Sequence, residues 1–308
     1  MPLAPAALVH SAFYRFVPLP DPPAVAQALR ALVRDPQTGA AVQGSIVVAA
    51  EGINGTVAGA EAAVSAFEQQ LQQHPAFGGA FKGVMFKRSA CTTPPFGLLK
   101  VNVKPEIVAL DLPGADALPA PDEHDSSHLS PAAWRALMAE GRAVLLDNRN
   151  HFEFRLGHFQ GALDPQVNHF RAFVAYVETH APTWRAEGRP VAMYCTGGIR
   201  CDKTAPWMRS LGLQVLQLEG GVLNYFQQLP DAERDWQGEC FVFDKRLALD
   251  TRLQETVTRA EDVYDPQQPD EAWRLARAQQ LDAASAPDSP DSPDAAPQAN
   301  RPMKPAAP

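Results

Sequence analysis

In the first hundred positions, segments with the apolar pattern of β-strands alternate with segments that have the apolar spacing of helices. Runs of apolar or alternating residues predict β-strands, and apolar residues three to four positions apart predict amphipathic helices. One helix begins at Asp21, which is a suitable N-cap, with prolines in the first turn. The predicted elements are a strand at 12–17, that helix, strands at 44–50 and 51–59, a helix at 60–74, and strands at 81–88 and 98–104. The first six of these elements have the order β-α-β-β-α-β, which predicts a ferredoxin-like α+β domain over residues 10–110.

The pattern changes at Leu129, where short apolar strands begin to alternate with helices. Ser130 caps a helix in SPAAWRALMAEG, and AVLLD and PVAMY are apolar runs of the kind found in strands buried on both faces. Alternation of such strands with helices predicts a parallel, doubly wound sheet over residues 129–235. Ligands of these sheets bind at the carboxyl ends of the strands.

Three further segments lack a clear period. Residues 111–128, rich in Asp, Pro, Ala and His, are predicted to link the two domains. Residues 236–281 form a C-terminal extension, and the proline- and alanine-rich residues 282–308 are predicted to be a disordered tail. The predicted fold class is therefore α/β, with a ferredoxin-like N-terminal domain before the doubly wound domain.

Composition restricts the possible classes of protein. The chain has 308 residues, of which 45% are hydrophobic and 20% charged, as expected of a globular protein with a sizeable core. No apolar run approaches the roughly 18 residues of a membrane span, and the first residues lack the pattern of a signal peptide. We therefore expect a cytoplasmic protein without membrane association.

The net charge and the local charge distribution give different indications about binding of nucleic acid. A net charge of −8 does not indicate a nucleic-acid-binding protein as a whole. Between Phe81 and Pro105, however, no acidic residue occurs among five basic ones, which are Lys82, Lys87, Arg88, Lys100 and Lys104. These residues are candidate phosphate contacts, and an ordinary solvated strand face explains them equally well.

A cysteine lies where the strand PVAMY ends and the next helix begins. The stretch from this residue to the helix reads Cys195, Thr196, Gly197, Gly198, Ile199 and Arg200. The two glycines allow successive backbone N–H groups to point inward and to form an anion cradle. The pKa of Cys195 would be lowered by these N–H groups, by the helix N-terminus and by the charges of Arg200 and Lys203. Cys195 is therefore a candidate nucleophile.

Other candidate groups have weaker support. Cys201 is either a resolving thiol for Cys195 or a core residue, and Arg149 is an auxiliary site residue or a structural one. Cys91 and Cys240 have no reactive context. No C-x-x-C pair, facial-triad spacing, dinucleotide fingerprint or flavin signature occurs, so neither a metal nor a bound cofactor is evident.

The loop resembles that of rhodanese sulfurtransferases, in which cysteine and arginine are also separated by four residues. The upstream stretch LLDNRNHFEFRLGHFQGA at 145–162 extends this resemblance. More specific motifs are YCTGGIRCDK, GINGTVAG at 52–59, PPFGLLKVNVKPEIV at 94–108 and GECFVFDKR at 238–246. Together, over about residues 10–250, they resemble the bacterial tRNA uridine hydroxylase family.

This resemblance implies oxygen-dependent hydroxylation of the wobble uridine (position 34) of tRNA to 5-hydroxyuridine. It implies molecular oxygen as co-substrate, the anticodon loop of tRNA as partner and Cys195 as catalytic residue, and no obligate protein partner is evident. Addition of the Cys195 thiolate to uridine C6 is one hypothesis for the chemistry, and an oxidised or persulfidated Cys195 is another. The alternative function is persulfide transfer, which the loop alone supports equally well. Retention of Cys195 and Arg200 disfavours a non-catalytic binding module.

Overall fold

A computed structural model of the protein describes residues 8–92, 94–112 and 126–284. The chain divides into two compact units between Thr258 and Arg259. Of the predicted linker at 111–128, only residues 111–112 and 126–128 are among the described residues. The predicted tail lies outside them from residue 285 onward, whereas residues 282–284, also predicted to be disordered, are helical.

The N-terminal domain has a five-stranded sheet and two helices. Its elements are β1 (Leu8–Phe16), α1 (Pro22–Arg34), β2 (Gln43–Ala49), β3 (Gly52–Ala60), α2 (Glu61–Gln73), β4 (Phe86–Cys91) and β5 (Leu99–Val103). The strand order is β4-β1-β3-β2-β5. The first four strands are antiparallel, and β5 extends the sheet parallel to β2. The ferredoxin-like prediction is therefore confirmed.

Local sequence explains most of the boundaries in this domain. The Asp21 side chain accepts a hydrogen bond from Ala24 N at 3.0 Å and so caps α1 as predicted. Leu29 of α1 and Phe67 of α2 are fully buried against strand residues such as Ile46. The strand predicted at 81–88 begins only at Phe86, because residues 79–84 form successive tight turns that bury Phe81.

The second domain has a parallel four-stranded sheet. Its elements are β6 (His128–Leu129), α3 (Pro131–Glu140), β7 (Val144–Asp147), α4 (His151–Leu156), β8 (Gly157–Phe159), α5 (Phe173–Ala186), β9 (Val191–Tyr194), α6 (Ile199–Ser210), β10 (Val215–Leu218) and α7 (Gly221–Gln228). The strand order is β6-β10-β9-β7. Residues of α5 and α6 share one apolar cluster with the sheet, and residues of α3 and α7 share another. The predicted doubly wound sheet is confirmed.

Three short strands follow this sheet within the first unit. They are β11 (Trp236–Gly238), which pairs with β8, and β12 (Cys240–Phe241) and β13 (Ala248–Leu249), which pair with each other. The second unit contains α8 (Ala260–Val263) and α9 (Pro269–Ala284). The stretch predicted as one C-terminal extension is thus divided between the units. Among the described residues, no helix is long and apolar enough to cross a membrane.

A buried ion pair lies beneath the end of β7. Arg149 Nε and Nη2 donate to the two carboxylate oxygens of Asp147 at 2.8 and 2.6 Å, and both side chains are fully buried. Arg149 Nη2 also donates to Gly157 O at 2.6 Å, and the guanidinium lies 5.1 Å from the Trp236 ring centroid. These contacts favour the structural interpretation of Arg149.

Replacement of Asp147 by alanine is expected to lower the free energy of unfolding by about 3–5 kcal/mol, because it leaves a buried guanidinium without its counter-ion. Urea denaturation followed by tryptophan fluorescence measures this change. Arg142→Ala is the matched control, since it breaks an ion pair with Glu140 whose two side chains are 77% and 48% exposed, and we expect a loss below about 1 kcal/mol. Equal losses in the two variants would contradict the structural importance of the buried pair.

Candidate active site

Cys195 lies at the carboxyl end of β9, immediately before a loop that leads into α6. The backbone N–H of Gly198 donates to Cys195 Sγ at 3.1 Å. Gly198 has φ +100°, and a Cβ at this position would lie 2.7 Å from the Tyr14 hydroxyl. Both the backbone conformation and the close approach of Tyr14 therefore require glycine here.

The Cys195 thiol is buried but acidic. Burial raises its pKa, but a hydrogen bond from the Cys201 thiol, the charge of Arg200 and the N–H groups of residues 200 and 201 outweigh this effect and lower the pKa from 9.0 to about 6. Burial and the Cys195 charge raise the pKa of Cys201 well above its usual range. At neutral pH the pair therefore consists of a thiolate and a thiol that donates to it.

Arg200 is held by a carboxylate from α4. Its Nη1 and Nη2 donate to Glu153 Oε2 and Oε1 at 2.8 and 2.7 Å, with Glu153 fully buried and the Arg200 side chain 8% exposed. Burial raises the pKa of Glu153, but the Arg200 charge and hydrogen bonds lower it more. Thr196 Oγ1 lies 3.4 Å from Glu153 Oε1. One carboxylate thus orients the arginine and contacts the first residue of the loop.

A second glycine-containing turn, at Gly220 and Gly221, is hydrogen-bonded to the backbone of the cysteine loop. Val222 N and Leu223 N donate to the carbonyls of Cys195 and Thr196 at 3.0 and 3.1 Å. Gly221 has φ +70°, and a Cβ at this residue would lie 2.5 Å from Cys195 O. These bonds fix the peptide planes of the loop. No local pattern in the sequence indicates this turn, which follows β10.

Tyr14 and Lys87 of the N-terminal domain contribute to the same site, and so does His128 of β6. The Tyr14 hydroxyl donates to Asp202 Oδ2 at 2.8 Å, and His128 Nε2 lies 2.9 Å from Asp202 Oδ1. The ammonium of Lys87 donates to Gly197 O and lies 4.7 Å from the centroid of the Tyr14 ring. From the sequence, Lys87 is predicted only as a candidate phosphate contact, and no local pattern indicates a site role for Tyr14, Asp202 or His128.

The remaining predicted site residues occupy different environments. Lys203 binds Glu51, and its Nζ lies 3.5 Å from Glu106 Oε2, so its charge is directed toward the N-terminal domain. Cys201 is 1% exposed and contacts Cys195, and its role as a resolving thiol stays a prediction. Arg149 lies in the ion pair described above. Within residues 8–92, 94–112 and 126–284, no group of three or more potential ligands could hold a metal ion.

The basic run is not one surface. Lys87 and Arg88 lie in β4, and Lys82 lies in the turns that precede this strand, whereas Lys100 lies in β5, on the opposite edge, and Lys104 directly follows β5. Arg88 also binds the Glu68 carboxylate, whereas Lys82, Lys100 and Lys104 are exposed. The five residues therefore do not share one edge of the sheet, and their contacts with tRNA stay a prediction.

We expect the Cys195 thiolate to titrate with a midpoint near pH 6 and to be protonated and unreactive below it. Cys201→Ala removes a hydrogen bond to the thiolate and should raise this midpoint by about one to two pH units. Ultraviolet absorbance of the thiolate, with Cys195→Ser subtracted, measures the midpoint without requiring access to the buried sulfur. Cys201→Ser keeps a hydroxyl donor and should shift the midpoint less. An unchanged midpoint in Cys201→Ala would contradict this account of the low pKa.

Two family models match the chain. Residues 8–107 match the UPF0176 acylphosphatase like domain, and residues 130–228 match the rhodanese-like domain. The first range contains the five strands of the N-terminal sheet, and the second contains Cys195 and its loop. The first model thus covers the N-terminal sheet, and the second covers the parallel sheet except β6.

Curated relatives match across both domains. A tRNA uridine(34) hydroxylase of Nitrobacter winogradskyi is 42% identical over 247 residues, which cover 80% of this chain and 93% of the relative. Proteins with the same name from Synechococcus elongatus and Deinococcus radiodurans are 42% and 40% identical, over 80% and 82% of this chain and 87% and 79% of their own lengths. At this identity and coverage, the chain belongs to the tRNA uridine(34) hydroxylase family.

Proposed function

We propose that this protein hydroxylates uridine 34 of tRNA to 5-hydroxyuridine and that Cys195 is its nucleophile. The residue assignment depends on the position of the Cys195 thiol, which accepts a hydrogen bond from Gly198 N at 3.1 Å in a loop that both domains contact. The lowering of its pKa to about 6 agrees with this assignment. A persulfide-transfer enzyme would need the loop but not the N-terminal groups Tyr14 and Lys87. The named relatives support hydroxylation.

The thiolate would act by addition to the uracil ring. The Cys195 sulfur forms a bond to C6, and the electron pair of the C5–C6 double bond moves toward C5 and O4. C5 then attacks an electrophilic oxygen atom. Loss of the C5 proton and cleavage of the S–C6 bond restore the double bond and release the thiolate. The Cys201 thiol, whose pKa is raised, stabilises the thiolate before addition and after release.

The electron balance identifies what else the reaction needs. Conversion of C5–H to C5–OH oxidises uridine by two electrons. With molecular oxygen as oxidant, one oxygen atom enters the base and the other leaves as water, which requires two further electrons and two protons. We assign these to an external reductant of the thiol class. No bound cofactor is part of the proposal.

Access to the thiol requires movement at the domain contact. Cys195 is 1% exposed, and Tyr14 and Lys87 both contact its loop. These contacts must separate for uridine C6 to reach the sulfur. An anticodon loop suits this requirement, because extrusion of a base from a single strand costs less than extrusion from a duplex. We place the reaction in the cytoplasm, where tRNA is available.

Cells that lack this protein should lose the nucleosides derived from 5-hydroxyuridine, and the wild-type gene should restore them whereas Cys195→Ser should not. Mass spectrometry of digested tRNA measures this. Cys91→Ala is the matched control, because Cys91 is also buried but burial raises its pKa to about 11, and it should restore the nucleosides. If thiolated nucleosides fall instead, persulfide transfer replaces hydroxylation. Full restoration by Cys195→Ser would remove the thiol from the mechanism.

Binding of tRNA should depend on one edge of the N-terminal sheet. Lys82 lies in the turns that lead into β4, the strand that carries Lys87, and Lys87 contacts the cysteine loop. We therefore expect Lys82→Ala to weaken binding and to reduce the salt dependence of log K by about one unit of slope. The matched variant Lys100→Ala, on the opposite edge, should change neither the affinity for tRNA nor its salt dependence. Filter binding at several salt concentrations tests this, and the reverse result would place the tRNA on the β5 edge.

A further inference from the structure

The ring of Phe243 is exposed to solvent beside the candidate active site. It is 60% exposed, whereas Phe241, two residues earlier, is 1% exposed. The Arg200 guanidinium lies 5.8 Å from the centroid of the Phe243 ring. Phe243 belongs to the GECFVFDKR motif, to which nothing in the proposed chemistry assigns a role. An exposed aromatic ring next to the site arginine therefore needs an explanation.

The backbone beneath Phe243 is firmly held. It lies in the turn between β12 and β13, where Val242 N donates to Leu247 O at 2.8 Å and Leu247 N donates to Asp244 O at 3.1 Å. Arg246 and Asp244 form a buried ion pair, with side chains 1% and 3% exposed. Arg246 Nη1 also donates to Ser89 Oγ of β4 at 2.9 Å. The exposure of Phe243 is thus a property of an ordered turn.

The same short helix positions Phe243 and Arg200. Phe241 contacts the Phe243 ring edge-on, with ring centroids 4.9 Å apart, and Phe152 of α4 contacts Phe241 in the same way at 5.1 Å. The next residue of α4, Glu153, holds Arg200. These contacts place the exposed ring against the same helix that holds Arg200.

We propose that Phe243 is a stacking platform for the base of a single-stranded pyrimidine nucleotide at the entrance to the Cys195 loop. The proposal rests on the proposed function, which requires an extruded uridine near this loop. Aromatic side chains bind unpaired bases by stacking, and a ring fixed before binding loses little conformational entropy when the base arrives. The ring supplies base contact, while the neighbouring Arg200 is occupied by Glu153.

The test compares two anticodon stem-loop RNAs, one with uridine at position 34 and one with an abasic site there. The wild type should bind the uridine RNA about tenfold more tightly than the abasic RNA. Phe243→Ala should bind both RNAs equally and should raise KM for the uridine RNA about tenfold. Phe243→Tyr keeps a planar ring and should retain the preference, whereas Phe243→Leu, apolar but not planar, should lose it.

Controls separate stacking from general damage and from the proposed function. Val257→Ala removes a side chain that is 96% exposed and should behave like the wild type. The pKa of Cys195 should stay at its wild-type value in every Phe243 variant, which shows that the loop is intact. Equal affinity and KM in Phe243→Ala and the wild type would overturn the stacking role. A wild type that prefers the uridine RNA but forms no 5-hydroxyuridine would overturn the proposed function and leave stacking in place.

Discussion

The candidate site depends on one buried ion pair, between Glu153 and Arg200. Burial of both groups costs free energy that only good geometry offsets, and the two parallel hydrogen bonds of 2.8 and 2.7 Å provide that geometry. Arg200 lies in the first turn of α6, so the pair also fixes where that helix begins relative to α4. The acidity of Cys195 follows in part from the position of this guanidinium. Loss of Glu153 would therefore disturb the loop, the helix and the thiol together.

The site is built from two domains that each have a complete core of their own. The parallel sheet supplies the thiol, its loop and Arg200, as the carboxyl end of a strand in such a sheet commonly does. The N-terminal sheet supplies Tyr14 and Lys87, which contact the loop and the residue after Cys201. Lys203 and Glu51 add an ion pair between the same two domains. Neither domain alone contains the arrangement of groups seen in the whole chain.

Local patterns predicted the regular elements well, because helix caps such as Asp21 and Ser130 and the apolar periods act over a few residues. The cysteine loop was also predictable, since its glycines and Arg200 are adjacent in sequence. The contact of Tyr14 with Asp202 joins residues 188 positions apart, which no local pattern reveals. The division of the basic residues between two sheet edges depends on strand order in the same way. Strands β12 and β13 have two residues each, too few to show a period.

Burial of Cys195 affects how readily oxidants can oxidise its thiolate. A thiol with a pKa near 6 is ionised at neutral pH, and thiolates in open solvent react readily with peroxides to give sulfenic and then irreversibly oxidised acids. Here the sulfur is acidic without being accessible, since Cys195 is 1% exposed. Reactivity and accessibility are thus separated, and in the proposed mechanism the thiolate would meet an oxidant only after the domain contact has opened. With the oxygen co-substrate that we propose, the resting enzyme would in this way avoid inactivation between turnovers.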